Sequence, residues 1–379
     1  MSRRVLYQWR IPGILVILLL WSMVAVSAES VPDLTGSWQG VSVDTYSPSE
    51  GFTDKTNNMG SFHIITKDDL AFAGNVTYFD SDTAANVTHF FPGVLSPDGK
   101  TFFKDETGSG ISFGELVSDQ ELYNYMLFAD QDLMVIVSHL VKDGTTPAPE
   151  KTVPSLIGVW NFTHNRSTGV NTTGLLTIEE QQGRIWSGRE QIHDDDGTMI
   201  ELPMVGTIGN TGRLYGISQD GAFMFGSMIG DEAIENAFVI PGDTDGTLVV
   251  ERWMTRNETP IPKPGRTYPD ITGEWTIDDR KVIQNGTITD EGPVSGEWMS
   301  YSNQTERFVT ATRHTGDTDN SQDKPSSLIF RTPDEAYLTN ADAALVLYHI
   351  IDNSTMEAVV NRKDGKSILY LDVLKRKTE

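Results

Sequence analysis

One pattern of eight residues recurs three times along the chain, and it limits what everything else can be. Val31-Pro32-Asp33-Leu34-Thr35-Gly36-Ser37-Trp38 returns as Val153-Pro154-Ser155-Leu156-Ile157-Gly158-Val159-Trp160, and again as Tyr268-Pro269-Asp270-Ile271-Thr272-Gly273-Glu274-Trp275. The tryptophans stand 122 and 115 residues apart, the period of a small domain and not of a solenoid. Other landmarks keep step. Phe72-Ala73-Gly74, Trp186-Ser187-Gly188 and Val294-Ser295-Gly296 read as the third strand of each copy. The turns Ser96-Pro97-Asp98, Ser218-Gln219-Asp220 and Thr332-Pro333-Asp334 place their Asp 60, 60 and 59 residues after the matching tryptophan. Phe113-Gly114 matches Phe225-Gly226, and each copy closes on a strand ending in a base: Lys142, Arg256, Arg376. The expected organisation is three copies, at residues 31–143, 153–256 and 268–379.

Within a copy the signals are β throughout. The first unit reads as eight runs near residues 36–45, 61–67, 70–79, 87–95, 100–105, 110–117, 121–128 and 133–141. They are rich in Val, Ile, Thr, Phe and Tyr, which suit a pleated, half-buried surface. Turn chemistry such as Ser96-Pro97-Asp98-Gly99 and Lys363-Asp364-Gly365 separates the runs. Eight sequential hairpin-linked strands close most simply as an up-and-down barrel, which leaves no edge to aggregate. The fold class expected is therefore all-β, with three tandem antiparallel up-and-down barrels; a two-sheet sandwich is the alternative. Alternating prolines at Pro147, Pro149, Pro260, Pro262 and Pro264 predict extended, semi-rigid linkers that set the barrels apart.

The N-terminus reads as an export signal. Arg3, Arg4 and Arg10 precede an apolar run from Ile14 to Val26, and Val26-Ser27-Ala28 offers the small residues that signal peptidase accepts. Cleavage is expected after Ala28, with an uncleaved membrane anchor as the alternative. Removing residues 1–28 takes away three arginines and no acid, so the formal charge moves from −24 to −27. A chain so acidic repels phosphate backbones, which argues against a nucleic-acid partner, and it meets membrane only through the N-terminal segment if that is retained. The chain has no cysteine, which excludes disulfides, thiolate metal sites and cysteine nucleophiles.

At its opening and closing strands each copy resembles the calycin group, the lipocalin and avidin-like eight-stranded barrels. The residues are Gly36-x-Trp38, Gly158-x-Trp160 and Gly273-x-Trp275, with Lys142, Arg256 and Arg376 at the far end. The resemblance implies that each tryptophan plugs a barrel floor and that the base lies over its indole, a contact worth ~0.5–2 kcal/mol. Leu34-Thr35-Gly36-Ser37-Trp38 with Phe72-Ala73-Gly74 is most similar to avidin. An avidin places Asn two residues after that Trp, where Gly40, Phe162 and Ile277 stand. It places Tyr two residues after the third-strand Gly, where Val76, Glu190 and Trp298 stand. Biotin binding therefore does not carry over.

Nine Asn-x-Ser/Thr sequons stand at Asn75, Asn86, Asn161, Asn165, Asn171, Asn257, Asn285, Asn303 and Asn353. Chance, from 17 Asn and 67 Ser and Thr, supplies roughly three, so an N-glycoprotein is expected. Glycans, export and absent cysteine together fit an archaeal surface protein. Trp186 and Trp298 could stack on a sugar, with core packing as the plainer reading. Asp317-Thr318-Asp319-Asn320-Ser321-Gln322-Asp323 begins like a calcium loop but lacks its Gly and its terminal Glu, Leu328 standing there instead. His193-Asp194-Asp195-Asp196-Gly197 reads as a turn, and the scattered histidines make no zinc site. Gly110-Ile111-Ser112-Phe113-Gly114 matches a nucleophile elbow in letters only, since a β-like run continues after it. No catalytic set, metal or cofactor is expected. The function expected is a non-enzymatic extracellular or cell-surface protein acting as a multivalent binding or spacer module, its partner a small molecule or a surface glycan or protein. The alternatives are a carrier of an apolar molecule and a glycan-acting enzyme with unlocated carboxylates.

Overall fold

The computed structural model describes residues 31–378 apart from 57–60, 81–83, 106–109, 130–131, 194–196, 241–247, 257–260, 316–323, 340–344 and 362–366. The N-terminal segment read as an export signal, the acidic run at 317–323 and Asp194 to Asp196 lie outside the described residues. Every regular element among the described residues is a strand. The first copy contains β1 (Gly36–Ser47), β2 (Gly51–Asp54), β3 (Ser61–Asp68), β4 (Ala71–Asp80), β5 (Ala85–Leu95) and β6 (Thr101–Asp105). It ends with β7 (Ile111–Ser118), β8 (Glu121–Ala129) and β9 (Leu133–Lys142). The second has β10 (Gly158–Arg166), β11 (Asn171–Gln182), β12 (Ile185–His193) and β13 (Met199–Ile208). It continues through β14 (Arg213–Ser218), β15 (Phe223–Ile229), β16 (Ala233–Ile240) and β17 (Leu248–Thr255). The third runs through β18 (Gly273–Gln284), β19 (Thr287–Asp290), β20 (Glu297–Thr305), β21 (Phe308–Thr315) and β22 (Lys324–Thr332). It closes with β23 (Glu335–Thr339), β24 (Leu345–Asp352), β25 (Thr355–Asn361) and β26 (Ile368–Arg376).

Each copy is a closed antiparallel barrel of eight strands. Closure comes from first-to-last pairing: β1 with β9 from Trp38↔Lys142 to Tyr46↔Val135, β10 with β17, and β18 with β26. All eight runs read in the first copy are strands. Missed were β2 and β19, short hairpin returns that pair with the outer halves of β1 and β18. These extra strands also correct two of the landmark alignments. Gly296 lies in the turn before the second barrel strand of the third copy, at φ +78°, and the counterpart of Gly74 and Gly188 is Ala311. Ser218 to Asp220 is the turn between the fifth and sixth barrel strands, whereas Ser96 to Asp98 and Thr332 to Asp334 join the fourth to the fifth. Equal spacing concealed unequal loop content.

The barrels are not set apart. Strands β6, β8, β14, β16, β23 and β24 are buried along nearly their whole length on both faces, because their outer faces turn towards the neighbouring barrels. At the shared junction Phe113 stacks on Tyr215 at 4.6 Å, and Phe225 stacks on Tyr337 at 4.0 Å. These residues join Tyr125, Leu347 and Val359 in one apolar core that draws on all three copies. Polar contacts rim it. Glu115 accepts from Asn210 N at 2.6 Å, Arg213 pairs with Glu335 at 3.4 Å, and Asn361 Nδ2 donates to Asp105 Oδ1 at 2.8 Å. The linkers, predicted as spacers, are straps along these seams. Ala148 N donates to Glu121, Arg184 donates to Lys151 O, and Arg266 pairs with Glu235. Burial of large apolar faces outweighed the stiffness of the prolines.

Candidate functional site

The floor of each barrel is built from its opening motif. Glycine at positive φ starts the strand (Gly36, Gly158, Gly273), and the tryptophan two residues on points inward and is buried. Its Nε1 donates back to the carbonyl four residues earlier: Leu34 at 2.9 Å, Leu156 at 2.8 Å and Ile271 at 2.9 Å. The closing base covers the ring, with Lys142 Nζ 5.5 Å from the Trp38 centroid. The Arg256 and Arg376 guanidinium carbons stand 4.6 and 5.9 Å from Trp160 and Trp275. Each base also donates to a backbone carbonyl of the entering linker: Lys142 to Asp33, Arg256 to Ser155, Arg376 to Asp270. These six residues form three plugs, one under each barrel.

Above the plugs each interior holds one buried cation in its own setting. In the first barrel Lys104 Nζ sits 4.5 Å from the Phe91 centroid, and Ser112 Oγ donates to Asn124 Oδ1 at 2.6 Å. Ser112 is the serine of the nucleophile-elbow match. It is the second residue of β7 and lies inside the barrel, with strand and no elbow after it. In the second barrel Arg252 donates to Glu190 Oε1 at 2.5 Å and to His164 Nδ1 at 3.3 Å, and lies over Phe238 at 3.6 Å. Burial first, and Arg252 and Arg166 after it, push His164 down to about 2, so the ring is neutral. In the third barrel Arg280 takes Asp372 bidentately, Nε and Nη2 each donating at 2.6 Å, reaches Glu297 at 3.1 Å, and shares Glu297 with Arg313. Burial raises Asp372 above its ordinary range despite Arg280. It also pushes Glu297 upward, but there Arg280 and Arg313 prevail and hold the carboxyl below its ordinary value. The void among these groups is about 40 Å³. That is room for water and not for an apolar cargo.

These interior charges were missed in the sequence, although strand parity carries them. Arg252 stands two residues from the inward Val250 and Met254, and Lys104 two from Phe102. Arg280 is hidden by the bulge between Ile277 and Asp279, which shifts the parity. Glu190 and Arg313, each two residues past the third-strand Gly188 or Ala311, fall inside the barrels where an avidin keeps its tyrosine.

The two candidate stacking tryptophans do not come together. Trp186 is wholly buried inside the second barrel, where a Cβ on Gly206 would stand 2.3 Å from its ring, so it is filling and offers no face. Trp298 lies on β20, outside the third barrel, stacked on His314 at 4.9 Å with Lys377 Nζ 5.5 Å away. A third tryptophan, passed over in the sequence, lines a groove. On the outer wall of the second barrel, Trp253, Leu175, Gln191, His193, Thr163 and Asn161 border a depression of about 610 Å³. Trp253 Nε1 donates to Ile261 O at 2.9 Å, which anchors the indole edge and the second linker beside it. Among the sequons, Asn86, Asn161, Asn171, Asn285, Asn303 and Asn353 are exposed, Asn75 and Asn165 partly so, and Asn257 lies outside the described residues. Among the described residues no cluster of acids and histidines is placed to hold a metal ion.

No protein-family model matches the chain, and no curated protein sequence matches it. Among solved structures it is similar to a de novo designed fluorescence-activating β-barrel, at 20% identity over 27% of this chain and 94% of that one, with a TM-score of 0.22. It is also similar to a protein of unknown function from the DUF3598 family of Nostoc punctiforme, at 13% identity, covering 58% and 94%, with a TM-score of 0.28. A further likeness is to the isotype 1 transferrin binding protein B of serogroup B Neisseria meningitidis, at 11% identity, covering 92% and 77%, with a TM-score of 0.23. Likenesses of this size carry no function across.

Proposed function

We propose that this is an exported, N-glycosylated, non-enzymatic cell-surface or extracellular binding protein, built on three calycin-like barrels and reading glycans through the Trp253 groove. The observation that carries the reading is that the groove on the second barrel is open, while Trp186 fills the interior behind it and the void inside the third barrel is about 40 Å³. Sugar recognition needs an aromatic plane for the apolar ring face and a rim of side-chain amides, hydroxyls or imidazole for the hydroxyl groups. Trp253 supplies the first, and Gln191, Thr163 and His193 supply the second. A carrier of apolar molecules is not favoured, because a cargo would have to displace Trp186 or the Arg280 network. An enzyme is not favoured either. Glu190, Glu297 and Asp372 are each held by an arginine inside a closed barrel, away from the open groove.

The test is binding of neutral oligosaccharides to the enzymatically deglycosylated protein, read on a glycan array and by calorimetry. Native protein should retain a subset of glycans, and Trp253→Ala should reduce that retention tenfold or more. Equal binding by both proteins, or none by the native one, would refute the groove. Intact mass of the exported protein reports separately whether residues 1–28 are gone and how many sequons are occupied.

A further inference from the structure

Two of the three junctions between barrels are built alike, and the third is not. The turn between the second and third barrel strands of each copy reaches the outer wall of the copy before it, with the first copy reaching the third. Backbone bonds fix the equivalent positions. Leu95 N donates to Leu70 O, Ile208 N to Arg184 O and Phe330 N to Arg307 O, so Leu70, Arg184 and Arg307 are one position. On the receiving walls Lys142 N donates to Gln120 O, Arg256 N to Glu232 O and Arg376 N to Ser354 O. Three residues beyond those carbonyls stand Tyr123, Glu235 and Glu357. Arg184 lies 4.2 Å over Tyr123, and Arg307 donates to Glu235 at 3.0 Å. The junction between the third and first copies has a leucine where the others have an arginine, and Asp68 and Asp69 precede it.

We propose that this third junction is a proton-operated clasp, which closes the ring of barrels while Glu357 is protonated and loosens when the proton leaves. Asp69 stands in the β3–β4 turn, one residue before the position that Arg184 and Arg307 take in the other junctions, and its charge acts on Glu357. The cross-strand neighbours of Glu357 are His349 on β24 and Val373 on β26. His349 is held below its ordinary value, chiefly by burial, and brings no positive charge at neutral pH. Lys281 on β18 is taken by Asp68 at 2.8 Å, with Asp69 and Asp279 beside it, and Lys67 stands on β3 two residues before Asp69. Glu357 Oε2 has no hydrogen-bond partner among the described residues. Burial first, and Asp69 second, push this carboxyl up to about 7 from its ordinary 4.5.

The direction follows from linkage. The closed form binds the proton more tightly than the open one, so closure is fully favoured below about pH 4.5 and lost as pH climbs to about 7. The largest change in the closing equilibrium that this shift allows is about 300-fold. Because the chain has no cysteine, spin labels can be placed cleanly. Cysteines at exposed Ser61 and Thr289 report the third junction, and Ser61 with Gln182 reports the first. The distance between Ser61 and Thr289 should be narrowly distributed at pH 5 and gain a longer component at pH 8, with Ser61 to Gln182 unchanged. Glu357→Gln should keep it narrow at both values, and Asp69→Asn should shrink the long component. A native distance that ignores pH overturns the proposal. So does a Glu357→Gln or Asp69→Asn protein that opens as the native does.

Discussion

A tryptophan capped by a base is the smallest unit that repeats, and it does the same work three times. Trp160 is wholly buried and tied to Leu156, so Trp160→Ala should cost roughly 3–5 kcal/mol of stability, read from urea denaturation. A loss under 1 kcal/mol would mean the floor is not part of the core. The interior charges behave differently, because their value lies in being matched. Arg252→Met leaves Glu190 without its arginine and should destabilise by about 3–5 kcal/mol. Adding Glu190→Gln should restore part of that. His164 supplies an acid-side signature. Its folded value of about 2 lies below the ordinary 6.5, so the unfolded chain takes up a proton that the barrel refuses. Stability from this group is therefore lost as pH falls below about 6.5. His164→Gln should flatten the stability curve between pH 6.5 and 4.5, and an unaltered slope would contradict the assignment.

At the scale of strands, the outer faces decide the assembly. Phe225 lies against Tyr337 on one side and Phe113 on the other, so it is shared by all three copies. Phe225→Ala should cost roughly 3–5 kcal/mol and expose apolar surface that dyes detect, with the second barrel still closed. Much at this scale was legible: alternation and turn chemistry placed the eight runs of the first copy, because half-buried strands leave a two-residue rhythm. What stayed hidden has physical reasons. β2 and β19 are four residues long, too short to carry a rhythm. Runs such as Phe223-Met224-Phe225 and Leu345-Val346-Leu347 did carry the news of packing, since a strand apolar on both faces must be covered on both. That signal was read as barrel wall alone. The Trp253 groove was illegible, because it is assembled from five strands and a linker.

At the scale of the molecule, three heterologous contacts around one apolar junction close into a ring inside a single chain, which is how repeated units avoid growing into filaments. Proline-strapped copies are thus bodies of one fold and not beads. Small-angle X-ray scattering of the purified chain at pH 5 tests this most directly. A compact chain of this length should give a radius of gyration of about 20 Å. A markedly larger value, above about 28 Å and with the modulated profile of three separated spheres, would contradict the shared core.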